Sequence, residues 1–353
     1  MTIVADRCTH VMGVDTHAKT HTFALVEAAT GAVTATATFP VTPAGLDRAL
    51  AWAGRRAPGY VAAVEGTASY GATLTTRLQA AGTVVFEARP PKRAARAGRG
   101  KSDQIDAVAA ARSVLGEPVE RLAQPRSGEL RQALQLLLTA RRLLDRQRVQ
   151  DRNALNALVR GVELGHDARR ALSDAQVAAI AAWRTRRDDS VAHAIARAEA
   201  TRLARQVRAL QGQLRENYEQ LERVVTLMAP ELMRELGLGP VTAAACIAAY
   251  SHHGRVRTEA AYASLAGVAP IPASSGNTQR HRLNRHGDRR LNSALDTIAR
   301  VRLSHDPAAR DFRDRHLAAG KTKTEVRRLL KRYIARSTYR KLQTMLQTPE
   351  VPH

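Results

Sequence analysis

Apolar and β-branched residues gather in short runs near the start of the chain, VMGVD at 11–15 and HTFALVE at 21–27, while AVTATATF at 32–39 alternates apolar with polar positions. Such runs predict strands, and the turn residues Ala29-Thr30-Gly31-Ala32 between the last two predict an antiparallel meander from His10 to about Val41. Pro43-Ala44-Gly45 then opens a helical stretch, LDRALAWAG. YVAAVEG at 60–66 reads as a buried strand, ATLTTRLQAAG as a helix ending at Gly82, and TVVFEAR as one more strand. Strands followed by alternating helix and strand predict a mixed α/β sheet over residues 10 to about 120, with acidic residues at strand ends.

The period then changes. Residues 128–160 read as one helix after an N-cap at Ser127, stopping at Gly161, about 50 Å long at 1.5 Å per residue. From about Asp188 to Val225 a second helix places Leu203, Val207, Leu210, Leu214, Asn217, Leu221 and Val224 at alternating four- and three-residue steps, the seam of a coiled coil. Asn217 is its polar exception, either a register-fixing contact or a solvent-facing one. The pair serves equally as a dimer contact or as an intramolecular antiparallel hairpin. From Met228 onward the pattern is mostly helical, and Gly237-Leu238-Gly239 in ELGLGPVTAAACIAAY marks a hairpin whose backbone N–H groups can grip phosphate. The chain thus divides into an α/β region over 1–124, a helical coiled-coil region over 125–227 and a basic helical region over 228–353.

Charge changes the picture from fold to partner. Across 353 residues, 55 Lys+Arg oppose 32 Asp+Glu, a formal +23 that points to a polyanion, nucleic acid before membrane. No run approaches the ~18 apolar residues of a spanning helix, and Asp6, Thr9 and His10 break the one apolar stretch near the start, so a cytosolic, membrane-free protein is expected. Cys8 and Cys246 belong to no Cys/His cluster and read as two free thiols. Aromatic content of 4% argues against base stacking as the main mode of binding, leaving backbone electrostatics. From Arg255 to Lys341 there are 21 Lys/Arg against 7 Asp/Glu, which locates most of the contact there. Arg280, Arg282, Arg285, Arg289 and Arg290 can hold phosphates bidentately, and Lys321, Lys323, Arg327, Arg328, Lys331 and Arg332 repeat along one helix.

Four carboxylates carry the candidate chemistry. Asp15 ends the first strand and Glu65 a later one. Asp103 and Asp106, in KSDQIDAVAAAR, lie one turn apart at a helix start, where the basic run ending in Lys101 guides phosphate inward. Nucleases of the ribonuclease-H type need three or four carboxylates converging on two divalent ions that clamp attacking and leaving oxygens. An oxygen-only set selects magnesium or manganese. His17, His21, His252, His253 and His305 are assigned no metal role.

GVDTHAK, VEGTASYG and KSDQIDA, followed far downstream by LAGVAPIPASSG and HRLNRHGDRRLNSAL, resemble the transposases of insertion-sequence family 110 in content, order and spacing over nearly the whole chain. The resemblance implies an N-terminal ribonuclease-H-like domain akin to Holliday-junction resolvases, a connecting coiled coil and a C-terminal transposase domain. It implies double-stranded DNA as substrate, a structured bridge RNA as guide, and dimers assembling to a tetramer in a bacterial cytoplasm, on the nucleoid when acting. It also implies a serine that attacks a DNA phosphodiester, with one protomer's acidic domain meeting another's serine. ASSG offers Ser274 and Ser275. The family motif sets the serine before glycine, which selects Ser275; the residues alone read as a turn. Two alternatives remain: a metal-dependent junction-resolving nuclease, and a non-catalytic nucleic-acid-binding protein.

Overall fold

The computed structural model describes residues 2–88, 102–165, 169–273, 281–282, 284 and 286–346. The chain forms two compact units, divided between Ser127 and Gly128.

In the first unit, β1 (His10–Thr16), β2 (Thr20–Glu27) and β3 (Val33–Pro40) form the expected meander, turned at Gly31, whose φ of 69° suits glycine. Thr42 caps α1 (Pro43–Arg56) by accepting from the Gly45 N–H, and β4 (Val61–Val64), α2 (Ala72–Ala80), β5 (Val85–Glu87) and α3 (Asp103–Leu115) follow. The strand order is β3-β2-β1-β4-β5, with β4 and β5 parallel to β1, so the sheet is mixed. Alternation along β1 sorts side chains to two faces. Met12 and Val14 join Leu46, Trp52, Leu74 and Leu78 under α1 and α2. Val11 joins Ala110, Ala111 and Val114 of α3 on the opposite face.

Gly13 shares that second face, and it decides how closely α3 can lie. A Cβ there would stand 2.0 Å from the Ala107 carbonyl oxygen and 2.5 Å from the Ala111 nitrogen, both helix backbone. Only glycine permits this approach, which delivers the first turn of α3 to the end of β1.

The second unit begins with α4 (Glu129–Gly161), and its cap position is held by Gly128 at φ 97°, not by Ser127 as expected. The chain needs a left-handed bend there, which glycine supplies and serine disfavours. After α5 (Asp174–Ala181), α6 (Val191–Met228) starts three residues later than the seam pattern predicts, because Ser190 is its cap and accepts from the His193 N–H. α4 and α6 pair as an antiparallel intramolecular hairpin. Asn217 is buried and lies between them, donating Nδ2 to the Leu137 carbonyl at 3.0 Å, while Arg141 reaches the Leu214 carbonyl at 3.0 Å. The solvent-facing reading of Asn217 is therefore wrong. At the seam's end Val224 is half-buried against the core, and Val225 is buried beside it.

The remaining elements are α7 (Pro240–Tyr250), α8 (Glu259–Leu265), a short antiparallel pair β6 (Ile271–Pro272) and β7 (His281–Arg282), α9 (Arg289–His305), α10 (Pro307–Ala318) and α11 (Lys323–Met345). Tyr250, Tyr262 and Tyr339 meet edge-on or tilted, with centroids 5.9–6.4 Å apart, at the heart of a core that also takes Leu134 and Leu221 from the helical hairpin. Gly237, at φ 86°, is pressed against the Ile298 Cα of α9, and the Thr242 hydroxyl sits against the Gly237 and Gly239 carbonyls. The Gly-x-Gly turn thus serves helix packing. Cys8 and Cys246 are free thiols, and burial pushes that of Cys246 up to about 12.

Gly13→Ala is expected to destabilise the first unit by about 3 kcal/mol, since the clash is with backbone and neither element can rotate it away. Denaturant melts of the variant check this. A loss under about 1 kcal/mol would mean that α3 can shift freely on the sheet.

Candidate metal centre and basic surface

Asp15 stands near the end of β1, two residues beyond Gly13 and so on the same face, under the start of α3. Glu65 follows β4 directly, and its N–H donates to the Val14 carbonyl at 3.2 Å, so it is fixed beside β1. The Thr16 hydroxyl donates to the Glu65 carbonyl at 2.9 Å, tying the two strand ends together. Asp103 is the first residue of α3 and Asp106 lies one turn later, behind the Ser102 cap, whose oxygen accepts from the Ile105 N–H. A helix N-terminus favours negative charge, so the two aspartates sit where the macrodipole lowers their cost.

The structure also brings in a residue that sequence reasoning left out. His17 Nε2 lies 3.0 Å from Asp15 Oδ2 and 3.5 Å from Asp103 Oδ1. Asp15, His17 and Asp103 each present a ligand atom within 4.8 Å of the others; Asp106 is near enough for its charge to act on Asp15, and Glu65 is placed beside β1 by its backbone. The candidate donors thus include one imidazole beside the carboxylates. Position in the β1–β2 turn argued against His17, but the turn folds its ring back over the end of β1; the signal available was its spacing of two from Asp15.

Asp15 is buried while His17 and Asp103 are exposed. Burial is the main cause that raises the Asp15 carboxyl above the usual carboxylate range. Asp103 and Asp106 push the same way, and His17 opposes them by charge and hydrogen bond. A buried carboxylate facing two further carboxylates calls for a cation, and the donors fit a divalent metal ion. Asp15, Asp103 and His17 would hold it.

Of the predicted phosphate contacts, Arg282, Arg289, Lys321, Lys323 and Arg328 are exposed, and Arg290, Arg327 and Arg332 are half-buried. Lys331 is a correction. It is buried, donating to Asn292 Oδ1 at 2.8 Å and lying 3.3 Å from Asp296 Oδ1, so it binds α11 to α9 rather than a ligand. Helical periodicity placed it with its neighbours, but its position on α11 faces inward. Lys101, Ser274, Ser275, Arg280 and Arg285 lie outside the described residues.

A strand-end cluster of carboxylates beneath a helix start, in a chain with so basic a second half, is the equipment of a metal-dependent protein that works on nucleic acid. Comparison with known proteins makes the class specific. Residues 12–163 match a family model described as a transposase, of the IS110 DEDD type, and residues 229–314 match one described as the transposase IS116/IS110/IS902 family. The first match contains all four carboxylates and the second contains Ser275. An uncharacterized 43.6 kDa protein of insertion element IS110 from Streptomyces coelicolor is 35% identical over 99 residues, which is 28% of this chain and 24% of that relative. The match therefore spans about a quarter of the relative's length. The chain belongs to the IS110 family of transposases.

Because the folded protein holds the Asp15 proton to higher pH than the unfolded chain does, ionising Asp15 costs stability as pH rises through the unfolded value toward the raised folded one. Without metal, Asp15→Asn should therefore melt higher than the parent at pH 7, with the difference fading below pH 4. Adding magnesium or manganese should raise the melting temperature of the parent but not of Asp15→Asn. At a free concentration of about 100 Kd the gain is about 2.7 kcal/mol. Equal metal responses in the two proteins would remove Asp15 from the ligand set.

Proposed function

We propose that this chain is a DNA recombinase that cuts and rejoins strands at the ends of a mobile element and at its target, through a covalent phosphoserine intermediate at Ser275. The observation that carries the reading is the convergence of Asp15 and Asp103 at the end of β1, inside the span matched by the transposase model. The strand order, a three-stranded antiparallel meander continued by two parallel strands, is that expected of a ribonuclease-H-like domain, and we assign residues 1–124 to it. Residues 125–227 are taken as the coiled-coil region and 228–353 as the C-terminal transposase domain.

In this reading the hydroxyl of Ser275 attacks phosphorus. The Oγ–P bond forms as the bond from phosphorus to one sugar oxygen breaks, and the serine proton passes through solvent to the departing hydroxyl. Because the phosphodiester is conserved as a phosphoserine linkage, attack by a new sugar hydroxyl rejoins the strand without an energy source. A bound magnesium or manganese ion would stabilise charge on the reacting phosphate oxygens. Asp15, Asp103 and His17 would hold that ion, and the burial of Asp15 favours a cation beside it. Exposed Arg282, Arg289, Lys321, Lys323 and Arg328 track the phosphate backbone. Sequence choice is delegated to pairing with a bridge RNA, consistent with a charge of +23 and the absence of an evident base-reading motif. Copies of the chain assemble as dimers and then a tetramer, one copy's carboxylates serving another's serine, in the bacterial cytoplasm and on the nucleoid when acting. No described helix is long and apolar enough to cross a membrane.

A second reading is favoured by the same carboxylates: junction-resolving hydrolysis by water, with the serine uninvolved. Two variants separate them. Under the recombinase reading, Ser275→Ala and Asp15→Asn each lower strand cleavage by at least about 10³-fold, and the denaturation-resistant protein–DNA adduct, which forms in the cleavage step itself, falls in proportion in both variants. Cleavage that survives in Ser275→Ala but not in Asp15→Asn establishes hydrolysis instead. Persistence of the adduct in Ser275→Ala and its loss in Ser274→Ala would move the nucleophile by one residue.

A further inference from the structure

The far end of the α4–α6 hairpin carries a cavity that the carboxylate site and the serine do not use. There α5 folds against α6, and the chain from Ala182 to Ser190 crosses the tip. Arg197 on α6 is buried and grips Asp189 of that crossing with two hydrogen bonds, Nε to Oδ2 at 2.6 Å and Nη2 to Oδ1 at 3.0 Å. A buried ion pair is a poor source of net stability, because desolvating both groups offsets their attraction, but it fixes geometry well. What it fixes is Trp183, whose ring lies over the Arg197 guanidinium at 5.2 Å.

Beside this ring opens a cavity of about 590 Å³ lined by Trp183, Arg184, Thr185, Arg197, Arg202 and Arg205 among others, with Ala194, Ala198 and Ala209 as its small apolar wall. Among the described residues, no acidic one lines it. Arg205 is held by its Nε to the Ala181 carbonyl at 3.0 Å, and Arg202 reaches Glu199 at 2.9 Å; Arg184 is exposed. The lining therefore joins a fixed aromatic ring and a shallow apolar wall to a rim of arginines. Duplex phosphates need only the rim. The wall and ring suit a flat, uncharged, polarisable ring system attached to a phosphate, which is an unpaired nucleotide. The size agrees, since small-molecule sites usually run about 300–1,000 Å³.

We propose that this tip cavity binds an unpaired nucleotide of a nucleic-acid strand, its base against Trp183 and the alanine wall and its phosphates on Arg184, Arg202 and Arg205. The site is independent of the chemistry assigned to the carboxylates or to Ser275, and its test requires neither. The full chain, in EDTA so that no strand is cut, is titrated with a 20-nucleotide single strand of DNA, the same sequence as RNA, and the blunt DNA duplex. Each carries 5-iodouracil for photocrosslinking. The expected result is a crosslink on Trp183 from a single strand and not from the duplex. Arg184→Gln combined with Arg202→Gln should lose single-strand affinity about tenfold, with duplex affinity changed less than twofold. Trp183→Phe should keep most of the affinity that Trp183→Ala loses, a contrast that simple unfolding of the tip does not produce when both variants give the parental circular dichroism. A crosslink from RNA alone identifies a guide strand as the source, and one from DNA alone a displaced strand. Unchanged single-strand affinity in the arginine variant, an equal loss for duplex, or crosslinks that map only elsewhere would overturn the proposal.

Discussion

The approach of α3 to β1 at Gly13 is the constraint on which the candidate metal centre depends. A helix normally packs on a sheet at a distance set by side chains, which here would leave Asp103 and Asp106 out of reach of Asp15. With no Cβ at Gly13, the backbone around Ala107 and Ala111 settles onto the strand. The first turn of α3 then overlaps the end of β1, and residues some 90 positions apart in sequence share a cleft. The alanines at 107, 110 and 111 complete the fit, since larger side chains on that face would lift the helix again.

That closeness has an electrostatic consequence. Asp15 is buried by the same packing that brings Asp103 and Asp106 near, so the contact that assembles the cluster also makes it costly when empty. His17 relieves part of that cost, standing between Asp15 and Asp103 where a cation is wanted. Preorganisation of this kind destabilises the fold in one state and stores the difference for a ligand.

Much of this was legible in the chain. Strand runs ending in Asp15 and Glu65, and two aspartates one turn apart at a helix start, follow from the residue pattern alone, and the meander and its crossover strands form where the pattern puts them. What escaped is whatever depends on a partner in space. His17 looks like a turn residue until the turn's path is known. Lys331 belongs to a basic helix face by sequence, yet α9 presents Asn292 and Asp296 at that position. Asn217 reads as ambiguous until Leu137 of α4 lies opposite. Gly128 displaced Ser127 as a cap because the entry to α4 needs a backbone conformation that a capping preference does not register.

The second unit follows a different logic, in which polar groups are spent on register rather than on chemistry. Asn217, Arg141 and the Arg197–Asp189 pair all sit at joints of the helical hairpin, and each couples a side chain to one specific backbone or carboxylate partner. A purely apolar seam tolerates sliding by a turn, whereas Asn217 would leave its buried amide unmatched after any slip, at about 1–3 kcal/mol per buried unsatisfied group. The register of α4 on α6 sets where the tip stands relative to the tyrosine core at the base, because both lie on the same two helices. A hairpin that served only as a spacer would gain nothing from such pinning. One that must present Trp183 and its arginines at a defined distance from the basic helices requires it.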